Sequence, residues 1–285
     1  MTDTHPTVVI LTALPVEYTA VRRHLTGTIE ERVHESGTRV ECGRVSDAPW
    51  TIALAEIGEG TQNAAALTER LTAWLAPRAV LFVGIAGGLT DDLRLGDVVV
   101  ATRVYAHQGG KQSPDGFHAR PRAWDASHRL GQTARAALRG GEWSALVHFK
   151  PVTSGDVVLN SSVSTLSEQL KHHYNDAVAI EMESSGMALA AHLNGAVETL
   201  TIRGISDRAD GQKHLADAGG SQPRAAERAA AAAMAVLRKQ EPFGGGAAPA
   251  GQPATRHGGD HIDFSGGTFH GPVTGKVVNG PRDEG

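Results

Sequence analysis

The stretch AVLFVGIAGG, residues 79–88, decides the fold class. It is apolar without polar alternation, the pattern of a short strand buried on both faces. Its closing glycines mark a turn at the strand's C-terminal end. A strand buried on both faces needs covering layers, so the flanking sequence should supply helices.

Working outward, similar runs occur at TVVILTAL (7–14), TIALAEIG (51–58), DVVVATRVYA (97–106), KPVTSGDVVL (150–159), AVAIEME (177–183) and VETLTIRGISD (197–207). Between them lie helical stretches. VEYTAVRRHL (16–25) carries Val16, Val21 and Leu25 on one side. GTQNAAALTERLTAWLA (60–76) has Thr61 as expected N-cap and Pro77 just beyond. SSGMALAAHLNG (184–195) opens with serine caps and closes on Asn194-Gly195. SQPRAAERAAAAAMAVLRKQ (221–240) combines a serine cap, an early proline, alanine propensity and a basic last turn. Strands alternating with helices predict an α/β fold with a largely parallel sheet covered on both faces.

The chain has 285 residues, 40% hydrophobic and 20% charged, with a net charge of −4. That length suits one large α/β domain or two small ones, and that charge provides no basic stripe for nucleic acid and no polybasic membrane patch. Cys42 is the single cysteine, so no intrachain disulfide forms and a reducing compartment is expected. The apolar run near the N-terminus lacks a basic leader and is cut by Pro15 and Glu17, so it reads as a first strand, and a cytoplasmic protein is expected. The fourteen histidines include no HExxH spacing, and His172 and His173 are adjacent and expected to point apart on a helix. No metal or other cofactor is expected.

Composition changes near Gln240. Residues 1–240 read as the catalytic-sized domain, 241–260 (EPFGGGAAPAGQPATRHGGD) as a flexible linker, and 261–285 as a short hairpin-like or disordered Gly-rich tail.

Four segments place polar groups at strand ends, where open α/β sheets bind ligands. Glu17, in ALPVE, reads either as a first-turn helix acid or as a site carboxylate. VGIAGGL (83–89) lets backbone amides at Gly87 and Gly88 approach a ligand, or is a tight turn; it fits neither GxGxxG nor a Walker loop. In EMESS, Glu181 and Glu183 share a strand face, or one caps the next helix while the other meets a surface cation. In IRGISDRAD, Arg203, Ser206 and Asp207 end a strand, or Arg203 is a surface charge before an Asx-turn.

Taken in order, ALPVE, VGIAGGL with LRLGDVVV, TSGDVVL, AIEMES and IRGISDRAD resemble the nucleoside phosphorylase/nucleosidase superfamily, most of all its methylthioadenosine/adenosylhomocysteine nucleosidase branch, over about residues 7–240. The resemblance implies a three-layer α/β/α sandwich whose mixed central sheet curls partly into a barrel, and cleavage of a purine N-glycosidic bond. It assigns Glu17 to activating the water, Arg203 to positioning that carboxylate and the water, and Asp207 to protonating N7, with Ser206 beside it. Met182 and Glu183 take the ribose, Val158 and Leu159 line the base, and Glu181 is a further candidate. Ile85 and Val158 depart from the branch, which carries a small hydroxyl residue and an aromatic there. A homodimer or larger assembly is implied.

The expected reaction is hydrolysis of a methylthioadenosine-like adenine nucleoside. One alternative is phosphorolysis, for which ALPVE offers an acid where a phosphate loop would stand, with Arg22 and Arg23 nearby. Another is a nucleotide-degrading effector, acting on ATP for example, with residues 261–285 docking a protein partner.

Overall fold

In the computed structural model, residues 7–195 and 197–241 are described. The expected linker, beyond Glu241, and the tail at 261–285 lie outside them.

The first half of the chain runs β1 (Thr7–Thr12), α1 (Pro15–Arg22), β2 (Leu25–Val33), β3 (Arg39–Val45), β4 (Thr51–Glu56), α2 (Thr61–Leu75), β5 (Ala79–Gly88) and β6 (Val98–Ala106). Three short strands follow, β7 (Gly110–Ser113), β8 (Gly116–Ala119) and β9 (Arg122–Asp125), then α3 (His128–Ala137) and β10 (Val147–Ser154). The remainder is α4 (Thr165–His173), β11 (Ala179–Glu181), α5 (Ser184–Asn194), β12 (Glu198–Asp207), α6 (Lys213–Ala218) and α7 (Ser221–Lys239).

Strand β5 spans the stretch that decided the fold class. It runs parallel to β1 on one side and β12 on the other. Its side chains alternate between two apolar layers. Leu81 and Val83 pack in the cluster that holds the alanines of α7, whereas Val80 and Phe82 pack with Ala64 and Leu71 of α2 and Met187 of α5. The expected three-layer sandwich is therefore present. Alanines bring α7 close to the sheet: a Cβ on Gly204 of β12 would overlap the backbone of Ala225.

The sheet is mixed, as the family resemblance implied, and not largely parallel, as the alternation of strands and helices alone had suggested. Strand β6 runs antiparallel to β12 and β9, and β2, β3 and β4 pair antiparallel. The chain between β5 and β6 is too short for the crossover that a parallel pair requires. At the other end, β11 bonds β10 in parallel and also meets β5 antiparallel, through Ala179↔Gly88 and Ile180↔Gly87. Strands β5, β12, β6, β10 and β11 thereby close into the partial barrel.

Strands β2, β3, β7, β8 and β9 and helices α3, α4 and α6 go beyond the sequence expectation. In β2 only Leu25 is buried, so the strand carries no apolar run to read. Expected caps also moved. The N-cap positions of α2 and α7 are Gly60 and Gly220, because Thr61 and Ser221 already lie inside their helices. At the far end of α5, Gly195 takes the left-handed conformation expected of it. His172 and His173 do not point apart. Their rings lie 4.6 Å from each other at the exposed last turn of α4, where burial does not constrain the rotamers. Among the described residues, no helix is long and apolar enough to cross a membrane.

Candidate active site

The C-terminal ends of β1, β5, β11 and β12, with the loop after β10, border one cleft. Glu17, Gly87, Val158, Leu159, Glu181, Met182, Glu183, Ser206 and Asp207 all line it. Arg203 and Gly88 do not line it. Arg203 lies behind the wall, and Gly88 faces a neighbouring cavity because the strand alternates at that point.

Glu17 sits in the first turn of α1, directly after the end of β1, and is 2% exposed. Its Oε2 accepts from the backbone N–H groups of Ala13 and Leu14 at 2.7 and 3.0 Å, and its Oε1 from Ile85 N–H at 2.7 Å. Three donors fix the carboxylate's position. Burial raises its pKa, opposed by Arg203 and these donors, with a net upward direction. Gly84 permits the arrangement. A Cβ there would overlap the Arg203 guanidinium and the Glu17 carboxyl.

Arg203 is fully buried, so it is no surface charge. Its Nη2 donates to Glu181, to Glu183 Oε2 at 3.2 Å and to Ser184 Oγ at 3.1 Å, whereas Nη1 stands 3.9 Å from Glu17 Oε1. Phe82 lies under the guanidinium, 4.3 Å from Cζ to the ring centre. Burial opposes the charge on Arg203, but the three carboxylates outweigh it, and the net shift is upward. Arg203 does not line the cleft itself; it touches the acids that do.

The two acids of EMESS converge on this guanidinium. Glu181 ends β11 and also accepts from Glu183 N–H, Ser184 N–H and Ser184 Oγ. Glu181 thus does the capping expected of the serines, while Ser185 N–H is taken by Ser154 Oγ. Glu183 occupies the N-cap position of α5, and its Oε1 accepts from Gly60 N–H at 3.4 Å. Burial, together with Glu181 and Glu17, lifts the Glu183 pKa to about 7 against the pull of Arg203.

Asp207 ends β12 at 4% exposure. Its Oδ2 accepts from Ser206 Oγ at 3.0 Å and its Oδ1 from Ala209 N–H at 2.9 Å. Both bonds orient the carboxyl along the cleft wall. Of the base-lining pair, Leu159 is buried and Val158 is 56% exposed. Ile85, whose N–H holds Glu17, is also among the residues that line the cleft.

Glu59 and Ala13 also line the cleft, and neither was singled out from sequence. The signal for the Glu59 loop was available in IGEGT, where Gly58 and Gly60 both adopt positive φ, 73° and 102°, between a strand and a helix. Among the described residues, no group of three or more His, Cys, Asp or Glu is placed to hold a metal ion.

The sequence model of the Phosphorylase superfamily matches residues 7–238. The chain is 30% identical over 240 residues to the ATP nucleosidase Cap17 of Escherichia coli strain KTE188, covering 73% of this chain and 47% of that protein. It therefore spans about half the length of that curated relative. Among solved structures, the 5′-methylthioadenosine/S-adenosylhomocysteine nucleosidase of Neisseria meningitidis, in complex with methylthio-immucillin-A, superimposes with a TM-score of 0.71 at 25% identity, over 82% of this chain and 99% of that one. The futalosine hydrolase of Helicobacter pylori shares the fold, with a TM-score of 0.71 at 21% identity over 83% and 99% of the two chains.

Proposed function

The chain belongs to the phosphorylase superfamily, and we propose that it hydrolyses the N-glycosidic bond of an adenine nucleotide, with ATP the first candidate. The observation that carries this reading is the convergence of Glu17, Glu183 and Asp207 on one cleft with Met182 between them in its lining. The ATP nucleosidase relative supports a nucleotide better than the methylthioadenosine-like nucleoside expected from the motifs.

Glycosidic cleavage develops positive charge on the sugar and negative charge on the departing base. In the proposed reaction, a water oxygen attacks C1′ and passes a proton to Glu17, the C1′–N9 bond breaks, and Asp207 delivers a proton to N7. Glu183 accepts from the ribose hydroxyls, and Met182 supplies an apolar surface to the sugar. The raised pKa of Glu17 suits a base that must take up a proton. Arg203 holds Glu181 and Glu183 in place, with Glu17 within its field.

Hydrolysis is favoured over phosphorolysis by the charge of the wall. Glu17, Glu59, Glu181, Glu183 and Asp207 line the cleft, and no Lys or Arg is among its described lining residues. A phosphate dianion needs cationic or amide donors, and the three amides at this end of the cleft are taken by Glu17.

The same acidic lining favours a second reading, a nucleoside with an uncharged 5′ group. For ATP, the phosphates must meet cations outside this lining, and a second copy of the chain, in the homodimer implied by the motif resemblance, is one source. Base release from ATP, AMP, adenosine, methylthioadenosine and adenosylhomocysteine, with and without phosphate, tests both readings. Turnover of ATP without phosphate is the expected result. Turnover of methylthioadenosine alone selects the second reading, and strict phosphate dependence overturns both. A partner-docking role for residues 261–285 remains a proposal, tested by pull-down with and without that segment.

A further inference from the structure

Beside the cleft lies a second cavity of about 440 Å³. Leu159 lines both. The two also adjoin along the chain: Gly87 lines the cleft and Gly88 the cavity, while Asp207 lines the cleft and Arg208 and Ala209 the cavity. Ala209 is tied to the site directly, its N–H donating to Asp207 Oδ1.

The inner wall of this cavity is mostly apolar, with the buried Ser167 beside it. Leu159, Leu170, Tyr174, Ala177 and Ala209 form one buried cluster, to which Ile180 of the cleft also belongs. The charges around it balance: Lys171 and Arg208 stand with Asp91 and Asp210. Lys171 Nζ donates to Ser162 O at 3.0 Å, and Arg208 Nη1 lies 3.9 Å from Asp91 Oδ1. Such a lining gives an anion no advantage and suits a neutral, apolar occupant.

The occupant follows from the chemistry of adenine. N7 and the exocyclic N6 share one edge of the base. If Asp207 addresses N7, N6 lies beside it, and the residues just after Asp207 lead into the cavity. We propose that this cavity is a subsite for an apolar alkyl or aralkyl substituent on N6 of the adenine ring. The proposal rests on the role given to Asp207 above. The space is ample, since an apolar cavity of about 150 Å³ accommodates benzene.

The experiment compares kcat/KM for ATP and methylthioadenosine with their N6-benzyl derivatives, read by release of adenine or N6-benzyladenine. Two exposed rim positions, Ser162→Trp and Asn175→Trp, narrow the cavity without touching the cleft lining. The wild type is expected to release N6-benzyladenine within about tenfold of the unsubstituted rate, and at least one rim variant to lose about tenfold or more on the benzyl substrate alone. Wild-type discrimination against the benzyl substrate by more than roughly 100-fold overturns the subsite while leaving the cleft reading intact. Equal benzyl turnover in the wild type and both rim variants does the same. Failure to release base from either unsubstituted substrate overturns the cleft reading, and the subsite with it.

Discussion

Replacing Gly84 by alanine tests how the Glu17 carboxylate, the proposed base, is held. The new Cβ would lie 2.7 Å from Glu17 Cδ, against ordinary van der Waals contacts of 3.4–4 Å, and would also overlap Arg203 Nη1. Neither neighbour can yield freely. Glu17 is bound by three backbone donors, and Arg203 is fully buried between Phe82 and the acids. The carboxylate must recede by roughly half an ångström or more, which disturbs its hydrogen bonds. Overpacking of this kind costs about 1–3 kcal/mol of stability, and a misplacement of about 1 Å costs on the order of 10²-fold in rate. Gly84→Ala is therefore expected to remain folded, with a lowered Tm, and to lose about 10²-fold in kcat with a smaller change in KM. Gly131 in α3 has no atom within 4 Å of its would-be Cβ, so Gly131→Ala serves as control and should gain up to about 1 kcal/mol with unchanged activity. Base-release kinetics and thermal melts on both variants decide the matter. A Gly84→Ala enzyme within about threefold of wild type would refute the claim that close packing against β5 sets the position of Glu17.

Three further outcomes are expected. Glu17→Gln and Asp207→Asn should each lower turnover by about 10²–10⁴-fold with native circular dichroism, since each removes one proton transfer; activity near wild type in both sinks the mechanism. Glu183 and Glu17 bind their protons more tightly in the native state than in the unfolded chain. Stability should therefore fall as pH rises from about 4.5 through about 7, and Glu183→Gln should flatten that slope in pH-dependent melts. In the proposed mechanism ionised Glu183 accepts from the ribose hydroxyls, so wild-type KM should fall over the same window. Arg203→Met strands three buried carboxylates and should cost about 3–5 kcal/mol near pH 8; the loss should shrink at pH 5.5 as Glu17 and Glu183 take up protons, whereas a pH-independent loss would mean that Arg203 matters only for packing.

The fold was legible where burial wrote itself into the sequence. Strands buried on both faces, such as β5 and β12, appear as apolar runs because every position meets protein. β2 and β3 were not legible: β2 is mostly exposed, and ladder hydrogen bonds to its neighbour, not apolar faces, hold it in the sheet. The antiparallel turn from β5 to β6 was hidden because an apolar run has no direction. In the site, Glu17, Glu183 and Asp207 could be found because acids at the ends of apolar strands stand out. The burial of Arg203 could not be read locally, since one arginine in an apolar strand fits both a surface charge and a buried ion pair, and only the meeting of β11 with β12 residues across the barrel decides between them. Capping by one acid of EMESS was open from the sequence, but two serines in the customary cap positions competed for the role and left undecided that Glu181 takes it.

The origin of the oxygen placed on the sugar tests the central claim most directly. A single turnover of ATP in ¹⁸O-labelled water, followed by mass spectrometry of the ribosyl product, is expected to show one ¹⁸O at the anomeric carbon, equal yields with and without phosphate, and free adenine. An unlabelled sugar-1-phosphate formed only when phosphate is present would contradict the account.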